Sequence, residues 1–389
     1  MIKNPLESAD LAFKSVLIRV DFNVPVDDSG NVLDDTRILK SLPTIKLCLE
    51  KKAKVFLVSH LGRPKVKSQE KKYSLYEVSE KLSKILNMKV DFFKSYFDND
   101  FTKTKLGLFE NSRLVDGEID NDQALSKKIA ELFDVFVFDA FASAHRAEVT
   151  TSGVSKFIKE KYFGLLVKNE ITNLNKIINN PKKPILSIVG GSKVSTKLPL
   201  LENMIQISDY FIPGGGIANN FLLAQDCFIG ASLSEKDLID ETRKLVELAE
   251  SKKTKIIYPI DCVVSDSIEG APQPKDSFNS LESTDMIFDF GPKTSRLINE
   301  VVEKAETVLW NGPLGVFEKE QFSESTKNLS LSLSKSDAFK VAGGGDTIMA
   351  INKFNILESI NYISTAGGAF LDYISGKKLP ALEDFLKQG

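Results

Sequence analysis

Leu186-Ser-Ile-Val-Gly-Gly-Ser-Lys-Val-Ser-Thr-Lys197 decides the fold. A short apolar run stops at two glycines and passes into a polar turn, as a buried strand does when its carboxyl end leads toward a crossover helix. The same pattern repeats on both sides of it. Short β-branched or aromatic runs recur at 16–24, 55–59, 135–138, 210–212, 255–258, 286–290, 307–310, 339–342 and 362–364. Helical periodicities lie between most of them, for example Ile38, Leu42, Ile45 and Leu49, where Pro43 must start or bend the helix. Strand alternating with helix predicts an α/β fold, parallel sheet with crossover helices.

At 389 residues the chain exceeds the usual size of one domain, so two are expected. The segment 165–180 carries Leu166, Ile171, Leu174, Ile177 and Ile178 at near-helical spacing and is closed by Pro181 and Pro184. It reads as a helix bridging two halves, although packing inside one large domain fits the same spacing. Hydrophobic residues at 42% and charged residues at 27% are ordinary globular proportions, which excludes disordered, fibrous and coiled-coil chains. The net charge of −2 gives no global field for nucleic acid or an anionic membrane. No apolar run approaches a membrane span, and the first twenty residues lack a basic segment followed by an apolar one, so a cytoplasmic protein is expected. Cys48, Cys227 and Cys262 have no paired spacing and read as reduced thiols.

Arginine is scarce and clustered. Only seven of the 51 basic residues are arginines, and five of these (Arg19, Arg37, Arg63, Arg113, Arg146) precede residue 150. The only two histidines sit beside two of them, in His60-Leu61-Gly62-Arg63 and His145-Arg146. Where lysine serves elsewhere, this clustering points to a need for the planar guanidinium fork that matches carboxylate and phosphate. Ligands of open α/β sheets bind beyond the carboxyl ends of the strands, and these residues follow predicted strands. Arg19, Asp21 and Asn23 stand at period two and would share one face of the first strand, which could equally be a solvated polar face.

The second half substitutes glycine for arginine. Thirteen of the 23 glycines fall at strand ends or nearby, including Gly190-Gly191, Gly214–Gly216, Gly312, Gly315 and Gly343–Gly345. Glycine lets successive backbone amides approach phosphate oxygens. The run from Gly190 to Lys197 lacks the Walker spacing, and Gly214-Gly-Gly-Ile-Ala-Asn219 only approximates the dinucleotide fingerprint. Lys193 and Lys197 would project toward one ligand if a helix began there, although a four-residue lysine spacing is unremarkable among 44 lysines. Gly343-Gly-Gly-Asp-Thr347 suits phosphates and a hard cation, and also fits a tight turn capped by Asp346. An anion basin in one half and a nucleotide surface in the other imply phosphoryl transfer, and neither half shows a nucleophile–base pair.

Arg19-Val-Asp-Phe-Asn-Val-Pro25, Asp35-Thr-Arg-Ile38, Ser59-His-Leu-Gly-Arg-Pro64, Gly190-Gly-Ser-Lys-Val-Ser-Thr-Lys197, Trp310-Asn-Gly-Pro-Leu-Gly-Val-Phe-Glu318 and Gly343-Gly-Gly-Asp-Thr347 together resemble the motifs of the phosphoglycerate kinase family, in that family's order, from about residue 16 onward. The resemblance implies two Rossmann-like domains, each a parallel sheet flanked by helices, joined by an interdomain helix. Residues 1–167 would bind 3-phosphoglycerate, 168–180 would form the helix, 181–368 would bind nucleotide, and 369–389 would return to the first domain. It implies a monomeric, cytoplasmic enzyme of glycolysis and gluconeogenesis. The reaction would be reversible transfer between 1,3-bisphosphoglycerate with MgADP and 3-phosphoglycerate with MgATP, with no nucleic-acid or membrane partner.

By the same resemblance, Asp21, Asn23, Arg37, His60, Leu61, Gly62, Arg63, Arg113 and Arg146 would bind the phosphoglycerate, with Arg37 and Lys193 catalytic. Gly191, Ser192, Lys197, Gly214, Gly215, Asn311, Pro313, Glu318, Gly344, Gly345, Asp346 and Thr347 would bind nucleotide. Within that set Gly191, Gly214, Gly215 and Pro313 would flank the adenine, Glu318 the ribose, and Asp346 Mg²⁺. Hinges are expected at Lys168-Asn-Glu170 and 364–368. The chain departs from the family pattern at Leu114, Ala142, Glu148, Ala366 and Phe370, and Glu148 would lower the potential of the basin. Two other readings are a non-catalytic nucleotide-binding regulator on this scaffold and a dinucleotide-dependent oxidoreductase. The first should lack a transfer residue and the second should show a proper fingerprint.

Overall fold

The computed structural model describes residues 5–64, 72–97, 100–179, 181–364 and 366–386. Contacts divide the chain into two units, one of residues up to Thr172 together with those from Lys378, the other Asn173–Lys377.

The first unit is built on six parallel strands, β1 (Ser15–Val20), β2 (Lys54–Val58), β3 (Asp91–Phe93), β4 (Leu106–Phe109), β5 (Val135–Asp139) and β6 (Glu160–Phe163), in the order β3-β4-β2-β1-β5-β6. The central strands are buried along nearly their whole length, as expected of a parallel sheet covered on both faces. Helices α1 (Thr36–Glu50), α2 (Tyr76–Leu86) and α3 (Gln123–Ala130) make the crossovers, and α1 carries Pro43 within it. The short strands β3, β4 and β6 are not among the runs read from the sequence, and β4 is interrupted by Gly107. A Cβ on Gly107 would stand 2.6 Å from the Phe93 ring.

Strand β1 ends at Val20, four residues before the apolar run does. Asp21 and Asn23 therefore lie in the loop beyond it, and the period-two argument that put them on one face with Arg19 does not hold. The chain turns because Phe22 N–H donates to Ser59 Oγ (2.8 Å) and Val24 N–H to the carbonyl of Phe22 (2.8 Å).

Helix α4 (Leu165–Ile178) spans the boundary between the units. Its first turn is capped from β5 and α1: Asp139 Oδ1 accepts from the N–H of Leu166 (2.9 Å), and Thr44 Oγ1 from that of Leu165 (2.9 Å). Of the expected interdomain segment, Asn180 lies outside the described residues, as does Thr365 of the expected second hinge.

The second unit has a parallel sheet of β7 (Ile185–Gly190), β8 (Tyr210–Gly214), β9 (Lys255–Ile256), β13 (Thr307–Asn311), β14 (Phe339–Gly343) and β15 (Tyr362–Ser364), in the order β15-β14-β13-β7-β8-β9. Strands β10 (Cys262–Ser265), β11 (Gln273–Lys275) and β12 (Met286–Phe290) form a separate antiparallel sheet. The 286–290 run was expected to join the parallel alternation. No α-helix separates it from β10, so the chain pairs it antiparallel instead. Around these sheets lie α5 (Leu198–Ile207), α6 (Gly215–Ala224), α7 (Ile239–Lys252), α8 (Pro292–Lys304), α9 (Glu324–Lys335), α10 (Gly345–Lys353) and α11 (Gly368–Ile374). Helix α12 (Pro380–Leu386) belongs to the first unit, where Phe385 stacks on Phe163 at 4.6 Å between ring centroids. Among the described residues no helix is long and apolar enough to cross a membrane.

Candidate functional site

In the first unit the polar residues gather beyond the carboxyl ends of β4, β2, β1 and β5, four neighbouring strands. His60 follows β2, is 2% exposed, and lies between two arginines: Arg19 Nη2 is 3.1 Å from its Nδ1 and Arg146 Nη1 is 3.0 Å from its Nε2. Burial holds the imidazole well below its ordinary pKa, and the charges of Arg19, Arg113, Arg146 and Arg37 push the same way. His60 is therefore neutral at physiological pH.

Arg37, half-buried at the start of α1, is ion-paired to Asp21, whose side chain thereby aims it. Asn23 Oδ1 accepts from the Gly62 N–H (2.8 Å), tying the loop after β1 to the loop after β2. Gly62 has φ +60°, and a Cβ there would stand 2.2 Å from the Tyr73 ring. Leu61 contributes no side chain to this surface. It is buried in the core, and Asn111 occupies both its N–H (3.0 Å) and its carbonyl (2.8 Å). Arg63 is exposed.

Arg113 donates to the carbonyl of Gly62 (2.7 Å) and to Glu148 Oε1 (3.0 Å), in an ion pair almost closed to solvent. Glu148 thus bears on the basin by occupying one edge of a guanidinium. Asn111, absent from the sequence expectation, is the residue that fixes the loop. Its only signal was its place two residues before Arg113.

In the second unit the loops after β14, β13, β7 and β8, again neighbours, bring glycines against one another. A Cβ on Gly190 would stand 1.9 Å from the Pro313 carbonyl oxygen, and one on Gly214 2.5 Å from it. Helix α5 starts only at Leu198, so Lys193 and Lys197 precede it and the expected one-face projection from a shared helix does not occur. Lys193 is exposed. Lys197 is half-buried, and its ammonium donates to the Gly190 carbonyl (2.6 Å) and to Asn311 Oδ1 (2.7 Å). Burial lowers its pKa to about 8.

Asn311 and Thr347 are buried and act as braces. Asn311 Nδ2 donates to the Gly343 carbonyl (2.7 Å); Thr347 Oγ1 donates to the same carbonyl (2.9 Å) and accepts from Gly312 N–H (2.7 Å). Gly344 has φ +97°, and a Cβ on Gly345 would meet nothing within 4 Å, so there is open space beside the start of α10. Asp346 stands exposed in the first turn of α10. Glu318 is exposed beyond β13, with Ser192 exposed and Gly191 half-buried beyond β7.

A cavity of about 120 Å³ opens beside these loops, walled by Gly215, Gly216, Leu233, Phe288, Leu314 and Val316 among others. Of the four residues expected around a base, Gly215 lines it, whereas Gly191, Gly214 and Pro313 do not. Leu233 and Phe288 carry no motif that a sequence reading could use.

Among the described residues no three His, Cys, Asp or Glu side chains gather as a metal cage. The single exposed carboxylate of Asp346 at the start of α10 fits a divalent ion that arrives on phosphates, since Mg²⁺ commonly takes one or two protein carboxylates and completes its shell from phosphate and water.

A family model described as phosphoglycerate kinase matches residues 6–377. The phosphoglycerate kinase of Francisella philomiragia is 47% identical over 380 residues, covering 97% of both chains. That of Legionella pneumophila is 46% identical over 379 residues, covering 97% of this chain and 96% of its own. The solved phosphoglycerate kinase from Coxiella burnetii superposes with a TM-score of 0.95 at 42% identity over 99% of each chain. The enzyme from Pyrococcus horikoshii does so with 0.78 at 29% identity over 98% of each. With the two parallel sheets and the two strand-end surfaces, these matches make the chain a kinase that belongs to the phosphoglycerate kinase family.

Proposed function

We propose that the protein transfers a phosphoryl group reversibly between MgATP and 3-phosphoglycerate, through the acyl phosphate 1,3-bisphosphoglycerate, as a cytoplasmic monomer of glycolysis and gluconeogenesis. The observation that carries this reading is that Arg37, His60, Arg113 and Arg146 gather beyond neighbouring strand ends of the first unit, with a buried imidazole between the guanidinium groups of Arg19 and Arg146. An acyl phosphate leaves as a carboxylate, and the attacking oxygen in the reverse direction is already ionised. No proton has to be removed, so the protein's task is to position the reactants and neutralise charge.

In the first unit Asn23, Arg37, His60, Arg63, Arg113 and Arg146 would hold 3-phosphoglycerate, and Gly62, whose N–H and carbonyl are taken by Asn23 and Arg113, would shape the loop. Asp21 orients Arg37 toward the transferring group. In the second unit the cavity beside Gly215, Leu314 and Val316 takes the adenine, Glu318 the ribose, and Lys197 with the amides of Gly344, Gly345 and Asp346 the phosphates. Asn311 and Thr347 support that surface from below. Asp346 would hold Mg²⁺, which supplies further charge neutralisation when bound with the nucleotide. Lys193, exposed and ahead of α5, would meet the transferring phosphoryl. Reacting atoms must come within about 3–3.5 Å in a dry site, so the reaction requires the two units to close on their substrates.

Calorimetric titration of variants tests the assignment. Arg37→Ala is expected to weaken 3-phosphoglycerate and leave MgADP binding unchanged, and Lys197→Ala the reverse. Loss of MgADP binding in a folded Arg37→Ala protein would contradict separate substrate surfaces.

A further inference from the structure

His60 is contacted at both ring nitrogens by guanidinium N–H groups, from Arg19 and Arg146. A neutral imidazole has one N–H and one lone pair, so only one of these arginines can donate to it. The other faces N–H against N–H. Which arginine donates decides what the ring offers to a ligand.

The two arginines are not equivalent. Arg19 is completely buried as the penultimate residue of β1, with Nη1 held by the carbonyl of Val20 at 2.9 Å. Its Nη2 has no route to water, so an unmatched N–H there would carry the full desolvation cost. Arg146 is half-buried at the mouth of the basin and can turn toward solvent. The charged groups facing the ring are Arg19, Arg37, Arg113 and Arg146, with Asp21 on Arg37 and Glu148 on Arg113. None of these carboxylates reaches the ring to compete for its proton.

We propose that Arg19 is a positioning residue that fixes His60 as the Nε2–H tautomer, so that Nε2–H and the Arg146 guanidinium point at a common space as paired donors for one anionic oxygen of the ligand. The close contact between two donors at Nε2 is relieved when an oxygen enters between them. Arg19 itself touches no ligand and acts only through the ring. The inference rests on the reading of this basin as the 3-phosphoglycerate site, but the tautomer is a property of the protein alone.

The chain has two histidines, so long-range ¹H–¹⁵N correlation of the ligand-free, ¹⁵N-labelled protein reads both rings, and His145→Asn assigns them. The expected result at neutral pH is a neutral His60 with Nε2 protonated and Nδ1 bare. A proton on Nδ1, an imidazolium, or an averaged mixture overturns the proposal. In Arg19→Met, Arg146 becomes the only guanidinium donor and the proton should move to Nδ1. The KM for 3-phosphoglycerate should rise about tenfold, as for loss of one charge-assisted hydrogen bond, with the KM for MgATP unchanged and Arg19→Lys partly restoring both readouts. An unchanged tautomer in Arg19→Met overturns it. If Arg19→Met does not fold, Arg146→Ala decides: Nε2–H should persist there, and a shift to Nδ1–H would show that Arg146 sets the tautomer. The expected tautomer in a protein that does not bind 3-phosphoglycerate would leave this inference standing and refute the substrate assignment.

Discussion

Lys197 shows how a single side chain can be read for both chemistry and pH. Its folded pKa of about 8 lies below the ordinary 10.5, because burial penalises the ammonium more than the charge of Asp346 restores it. The ligand-free protein therefore loses this cation as pH rises through about 8, and a bound phosphate draws the proton back. Calorimetry in buffers of different ionisation enthalpy should find uptake of about half a proton on MgADP binding near pH 8 and almost none near pH 6.5. Equal uptake at both would contradict the assignment. Glu148 supports the opposite kind of prediction. Glu148→Gln leaves the Arg113 guanidinium without its charge partner, so 3-phosphoglycerate should bind at least about twofold tighter while stability falls, on the order of 3 kcal/mol at most. Weaker binding in a folded protein would show that Glu148 orients Arg113 and does not compete for it. The sequence disclosed the arginines through their scarcity, but it could not show that Arg113 is already paired or that Arg19 lies beneath His60. Those facts depend on side-chain packing between segments about 35 and 41 residues apart.

At the scale of elements, the proposed phosphate surface depends on the close backbone approach of β7 and the loop after β13. Gly190→Ala would drive a Cβ into the Pro313 carbonyl at 1.9 Å, and neither backbone can yield without separating the strands. A loss of about 3 kcal/mol or more in urea unfolding is expected, together with loss of MgADP binding. Full stability in this variant would mean that the close approach is not required. The long central strands were legible in the sequence because burial on both faces leaves continuous apolar runs, as in β1 and β5. Strand ends were not. The run from Val16 continues through Phe22 and Val24, which stay buried although the ladder stops at Val20, since apolar burial and sheet pairing are separate constraints. The same ambiguity made β12 look like a parallel strand. Phe370, a departure from the family pattern, packs its ring where a Cβ on Gly343 would stand, 2.3 Å from it, so the residue types at 343 and 370 depend on each other.

For the whole molecule, the order of motifs along the chain was enough to indicate the family, because each strand-end motif is a continuous stretch of sequence. Transfer between substrates on separate units requires closure, so small-angle scattering should show a smaller radius of gyration with MgADP and 3-phosphoglycerate together than with either alone. An unchanged radius would count against closure. The measurement that tests the central claim most directly supplies MgATP and 3-phosphoglycerate and draws off 1,3-bisphosphoglycerate with glyceraldehyde-3-phosphate dehydrogenase, following NADH consumption with each substrate omitted in turn. The account predicts a signal that needs both substrates and falls about 10²-fold to 10³-fold in Arg37→Ala or Lys193→Ala. No signal from a protein that still binds MgATP would contradict it and leave a nucleotide-binding regulator on the same scaffold.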